Sequence, residues 1–338
     1  SRPDPAPERP IPPPIATRST VNLSPFPTWP RLLGLCTSLV VAIAPGSSLS
    51  APGDVDQPFD PQVNSFPEAI AIQPDDRIVL GDWFSKIGGV PRAGIGRIYA
   101  DGRLDARFDP SANGDVFAAA ILPDQRIRIG GNFTQLGGSY YVRFARLSSS
   151  GRPDARYEMN FSGAPRTIRA LPDGKVLVAG AFGSVNGEDH NGIVRLDADG
   201  SIDPTFNAPD ISGRVTSIAV QPDGKYLIGG WFDSIGGRPQ TRIARLNPDG
   251  SHDRTLRNTN MEGRVNMIFL RPDERILIAG DFPSVGGLTR HTIALLRPNG
   301  TVDPRYAPVT DNFISTIAPQ TDGRVIIGGR FTRVNGFT

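Results

Sequence analysis

The sequence predicts an all-β fold, a β-propeller of four-stranded antiparallel blades, six in number. Three observations predict it. A unit of 49–50 residues recurs along the chain. Every complete unit carries two glycine-type turns. The 38 Gly and 33 Pro among 338 residues favour many short strands joined by turns over helices, and no long amphipathic helical pattern is present.

The repeat registers on Pro-Asp pairs: Pro74-Asp75, Pro123-Asp124, Pro172-Asp173, Pro222-Asp223 and Pro272-Asp273, with Thr321-Asp322 as a degenerate sixth. The Asp spacings are 49, 49, 50, 50 and 49. Nine residues after each Asp stands a phenylalanine: Phe84, Phe133, Phe182, Phe232, Phe282 and Phe331. A second turn follows at Asp101-Gly102, Ser150-Gly151, Asp199-Gly200, Asp249-Gly250 and Asn299-Gly300. Three residues past each of those glycines is another Asp: Asp105, Asp154, Asp203, Asp253 and Asp303.

The third unit shows the mechanics. Residues 167–171 suit a short strand. Pro172-Asp173-Gly174 is a turn, with Pro fixing φ and Gly supplying φ > 0. Residues 175–180 are apolar nearly throughout, as expected of a return strand buried on both faces. Ser184 to Gly187 is expected as a loop, and Gly192 to Leu196 as a third strand. Beyond Asp199-Gly200, residues 201–206 form a short fourth strand whose Pro204 suits an outer edge. Four hairpin-linked strands make one propeller blade. The small pairs Gly229-Gly230 and Gly328-Gly329, varied to Ala179-Gly180 and Ala279-Gly280, would let blades crowd near the axis. The six phenylalanines are expected as wedges between blades. The Arg residues, spread at matching positions, are expected on solvated strand faces. The near-constant Asp residues are expected to accept bonds from turn N–H groups.

The run from Gln221 through Gly230, then Phe232, then Arg245 to Gly250, resembles the bacterial delta-60 repeat family, and Asp199 to Phe206 matches its closing strand almost residue for residue. The resemblance covers roughly residues 52–338. It implies a β-propeller on exported or surface proteins, often within larger chains, and no established catalytic activity, so it transfers no functional residues. The fifth unit departs with Leu295-Leu296 where the others have Arg-Leu or Arg-Ile.

Residues 1–31 form a Pro-rich leader expected to be disordered. Residues 32–51 carry an apolar run, Leu32 to Ala44, short for a membrane span and suited to a secretory signal or an anchor. The repeats occupy residues 52–338. Gly53 to Phe59 match Gly250 to Leu256 in spacing, and Leu49 falls where Leu246 would. The N-terminal segment is therefore expected to supply the outer strand of the sixth blade and close the ring. The alternative is a truncated part of a seven-bladed or longer array. The single cysteine, Cys36, allows no disulfide framework and no Cys-based zinc site. A net charge of +2 argues against nucleic-acid binding.

Chemistry-bearing patterns are sparse. His190, His252 and His291 occupy different places in the repeat and share no metal spacing. Asp197-Ala198-Asp199-Gly200 lacks the further acidic ligands of a calcium loop, so no cofactor is expected and calcium is the alternative. More informative is the residue just before each repeat phenylalanine: Trp83, Asn132, Ala181, Trp231, Asp281 and Arg330. In a six-bladed ring, Trp83 and Trp231 belong to opposite blades, as do Asn132 and Asp281. Trp83, Asn132, Trp231, Asp281 and Arg330 together make a candidate ligand site, with aromatic platforms and polar groups suited to a glycan or protein ligand. The expected function is a non-enzymatic binding or scaffold module, secreted or on the cell surface, with no integral membrane span in the mature protein. One alternative is a metal-dependent hydrolase or lyase with its site at the propeller axis. Another is a structural spacer within a larger surface protein.

Overall fold

The computed structural model describes residues 59–157, 159–320 and 324–337. The leader, the apolar segment, residues 53–58 of the ring-closing strand expected over 53–59 and the Thr321-Asp322 turn lie outside the described residues. The described residues contain strands, bridges and turns and no helix, so none is long and apolar enough to cross a membrane.

The chain forms six β-propeller blades in series. The first strands are Ala69–Ile72, Val116–Ile121, Pro165–Ala170, Ile211–Val220, Arg264–Leu270 and Ile314–Pro319. Each of the first five packs beside the first strand of the next blade. In blade four the first strand pairs antiparallel with Tyr226–Ile235, which pairs on its other side with Ile243–Leu246. The second strands are buried on both faces in blades one to five, which is why their sequences read as continuous apolar runs.

The outer strand is the shortest. It joins the ladder through one bridge, Leu196 with Ile202 in blade three and Leu246 with His252 in blade four. It turns away at once, because the Phe206 amide donates back to the Asp203 carbonyl. The segment expected as a loop, Ser184 to Gly187, is instead part of a small hairpin, Ser184–Val185 against Glu188–Asp189. It recurs in blades one, two, four and five. Asn186 and Gly187 supply the two positive φ values that such a tight turn demands. A polar side chain from the preceding segment clamps this hairpin: Asn64, Asn113, Ser162 and Ser212 each accept from two consecutive amides of it.

A β-bulge interrupts the first strand of blades two to six, as between Val215 and Ser217. The second glycine of each small pair lies under it. A Cβ on Gly230 would overlap the Arg214 carbonyl. The first glycine faces the next blade: a Cβ on Gly229 would stand 2.7 Å from Ile268 Cδ1 and 2.9 Å from Val265 Cγ1. Blades therefore approach most closely at this rung.

The core is divided into seams between consecutive blades. Phe133 lies in the seam of blades one and two, Phe182 in that of two and three, Phe232 in that of three and four, and Phe282 in that of four and five. Phe331 packs less completely against the seam of five and six, and Phe84 lies with Phe59 and Val63 on the outer side of blade one. A second ring closes each of the first three units: Phe108, Tyr157 and Phe206 pack in the same seams. Phe59 stands in the matching register ahead of blade one, 3.4 Å from where a Gly102 Cβ would be.

The arginines correct the expectation of solvated faces. Arg97 is 3% exposed, and Arg195 and Arg245 are also buried. Each reaches an Asp of its own outer strand: Arg97 to Asp105 at 2.7 Å, Arg195 to Asp203 at 2.7 Å and Arg245 to Asp253 at 2.8 Å. Each also donates forward to a turn carbonyl of the next blade: Arg97 to Ser149, Arg195 to Pro248 and Arg245 to Pro298. Arg97 lies over the Phe108 ring and Arg195 over the Phe206 ring. Burial is tolerated because the guanidinium meets a carboxylate, a carbonyl and a ring at once. The Asp residues serve twice, since their other oxygen accepts from the amide two residues on, as Asp203 does from Thr205. Leu295 replaces this arginine in blade five, and it is buried in the seam with blade six.

Candidate functional site

Trp83, Asn132, Ala181, Trp231, Asp281 and Arg330 are all solvent-exposed. Except in blade one, each follows the glycine pressed beneath the bulge. Beyond that crowded rung the second strand has left the core, so the next side chain turns outward. Trp231 is 52% exposed and Trp83 78%.

Across the ladder, the first strands supply partners. Arg214 pairs with Trp231, and its guanidinium lies 5.2 Å from that ring centroid. Arg264 pairs with Asp281 and approaches its carboxylate at 3.6 Å. The Arg330 amide donates to the Phe313 carbonyl, and its guanidinium lies 5.6 Å from the Phe313 ring. The Arg264 guanidinium lies 5.8 Å from the same ring, which links blades five and six. The Asn132 amide donates to the Asp115 carbonyl.

Two groups of charge emerge. On the side of blades one and two lie Glu68, Asp82 and Asp115. Burial pushes the Glu68 and Asp82 carboxyls above the usual range; Asp82 adds to the effect on Glu68, and Asp115 acts in the same sense on both. Arg166, the bulge residue of blade three, reaches Glu68 at 3.6 Å and lies 3.6 Å over the Phe117 ring. Burial lowers the Arg166 pKa, and the nearby Arg214 cation lowers it further. The basic side therefore runs through Arg166, Arg214, Arg264 and Arg330.

An open recess of ≈ 690 Å³ lies at the junction of blades three and four, with Trp231 and Arg214 on its border and Asn191, Ser212 and Asp233 among its polar groups. A smaller one of ≈ 410 Å³ includes His252, whose pKa is lowered by burial and then by Arg254. Among the described residues no group of three His, Cys, Asp or Glu side chains could hold a metal ion. The closing Asp residues accept from Arg and Lys side chains, and Asp197 pairs with Lys175 at 2.8 Å. That donor set does not suit calcium, whose ligands must be free oxygens.

The sequence reading missed Glu68, Arg166 and Arg214. Their signal was the same one that singled out Trp231, a position that varies among constant neighbours. It fell on or just before the first strand, where in blades two to six a bulge displaces side chains in a way no period of two announces.

Solved structures similar to the chain include a gluconolactonase from Xanthomonas campestris, at 15% identity, covering 77% of this chain and 82% of that one, with a TM-score of 0.48. The WD40 repeats of RRP9 match at 12% identity over 78% of this chain and 73% of that one, with a TM-score of 0.47. PorZ, a surface component of the type-IX secretion system of Porphyromonas gingivalis, matches at 14% identity over 76% of this chain and 37% of that one, with a TM-score of 0.43. No curated protein matches. The decisive likeness is to a family model that matches six times, at residues 73–108, 122–157, 171–206, 221–256, 271–306 and 320–338, together more than half of the sequence. One match falls on each of the six blades, beginning after its first strand, and the chain belongs to that family, the β-propeller domains of unknown function designated DUF5122.

Proposed function

We propose that the chain is a non-catalytic binding module of an exported or cell-surface protein, built from repeats of the bacterial delta-60 kind. Its ligand, a glycan or a protein segment, rests on the face that carries Trp83, Asn132, Trp231, Asp281 and Arg330. The observation that carries this reading is the Trp231–Arg214 stack on the border of an open recess. An indole held half-exposed beside hydrogen-bonding side chains offers a platform and orienting groups together. Trp83 presents a second exposed indole at the matching position of blade one.

The metal-dependent hydrolase or lyase reading finds less support. Asp281 faces the Arg264 guanidinium rather than other carboxylates. A spacer role would leave the exposed indoles without a purpose.

The test is a double variant, Trp83→Ala with Trp231→Ala, compared with the parent chain on glycan and peptide arrays and by thermal melting. Binding lost with an unchanged melting temperature supports the module. Binding retained by the folded double variant, or no binding by the parent chain on either array, overturns it.

A further inference from the structure

We propose that the basic–aromatic arc over blades three to six takes a short acidic carbohydrate, an oligosaccharide of uronic acids. This rests on the reading that the Trp231 face binds a ligand, and it names that ligand's chemistry.

The arc is built from four guanidiniums on successive blades. Arg214 and Arg264 hold equivalent rungs, Arg330 sits across the same rung of blade six, and Arg166 stands at the bulge of blade three. Every one has a ring nearby: Arg166 lies 3.6 Å over Phe117, Arg214 5.2 Å from the Trp231 centroid, and Arg264 and Arg330 5.8 Å and 5.6 Å from that of Phe313. A ring face attracts a guanidinium without using its edge N–H groups. A carboxylate matches that edge with two parallel bonds.

The charge on the arc is incompletely answered. Arg166 and Arg264 each have one carboxylate at 3.6 Å. Among the described residues neither Arg214 nor Arg330 has one within 4.0 Å. The Nε–H of Arg166 and the Nε–H of Arg264 are buried and donate to no partner. Arg166 and Arg214 oppose each other electrostatically across the junction of blades three and four. An anion placed between them relieves that repulsion.

Three features favour sugar over other anions. The exposed Trp231 ring offers the flat apolar surface on which the C–H face of a pyranose stacks. Asn191, Ser212 and Asp233 supply acceptors and donors for hydroxyls in the recess. Glu68, Asp82 and Asp115, on the other side of the face, repel a long, densely charged polymer such as a nucleic acid. One carboxylate per sugar suits an arc of spaced guanidiniums.

The experiment is calorimetric titration of the full chain with hexamers of galacturonate and of mannuronate, with the methyl-esterified galacturonate hexamer, and with an oligoaspartate peptide. At least one uronate hexamer is expected to bind, with affinity falling as salt is raised. Arg214→Ala should weaken it by about tenfold or more, and Arg214→Lys should not fully restore it. Circular dichroism melting should show both variants folded. If the neutral ester binds as tightly as the acid and needs Trp231, the charge inference falls and the binding face stands. If oligoaspartate binds and the sugars do not, the ligand is peptidic and the carbohydrate inference falls. If none binds, or the folded Arg214→Ala variant binds uronate normally, the arc is not an anion site.

Discussion

Asp203 shows how one side chain can hold a blade and its neighbour together. Burial pushes its carboxyl up, but bonds from Lys175, from the Thr205 hydroxyl and amide, and from Arg195 outweigh this and hold it far below the usual carboxylate range. Asp253 is held low in the same way by Thr255, Lys225 and Arg245. The sign follows from linkage: a depressed folded pKa contributes stability that is complete above the unfolded value, about 3.9, and is lost as pH falls through it toward the folded value. Denaturant melts should therefore show unfolding free energy dropping below about pH 4, with a shallower drop in Asp203→Asn. Asp203→Ala at neutral pH should cost roughly 3–5 kcal/mol, because it strands the buried Arg195 guanidinium. The five closing Asp residues were plain in the sequence as a repeated position. Their partners were not, because Arg195 lies eight residues from Asp203, and only the fold shows that the charge points inward.

At the scale of the element, the second strand sets the spacing of the blades. Gly229→Val should cost about 1–3 kcal/mol, since the added methyls meet Ile268 and Val265 of the next blade. The effect should appear as a lower denaturant midpoint with an unchanged slope. Turns, apolar runs and paired glycines were legible because each has a local cause. Gly174 has the positive φ its turn requires, and Val176–Gly180 is buried on both faces. The small hairpin was not legible, since Ser184–Val185 and Glu188–Asp189 are too short to show any alternation. Part of the candidate site was hidden for a different reason. Trp231 stood out as a rare residue in a varying column, while Arg166 and Arg214 were lost among arginines assigned to solvent.

For the molecule as a whole, stability is shared among seams, and each seam joins only consecutive blades. Phe232→Ala should cost roughly 3–5 kcal/mol if read by denaturant. Hydrogen exchange should localise the loss to blades three and four, with little change in blade one. Chelation by EDTA should leave the melting temperature unchanged, because the Asp oxygens are already engaged by arginine, lysine and amide donors. The forward contact of each buried arginine has one more consequence. Its acceptor is a backbone carbonyl 52 residues ahead in blade one and 53 ahead in blades three and four. A carbonyl is present whatever residue stands there. Unequal crossing-over in the gene, in steps of one whole unit, would thus hand each new junction that carries the arginine a working acceptor without any compensating substitution. A deletion of a few codons inside a unit would displace the acceptor and break the chain of contacts. This contact therefore tolerates change by whole units and is broken by change in fractions of one.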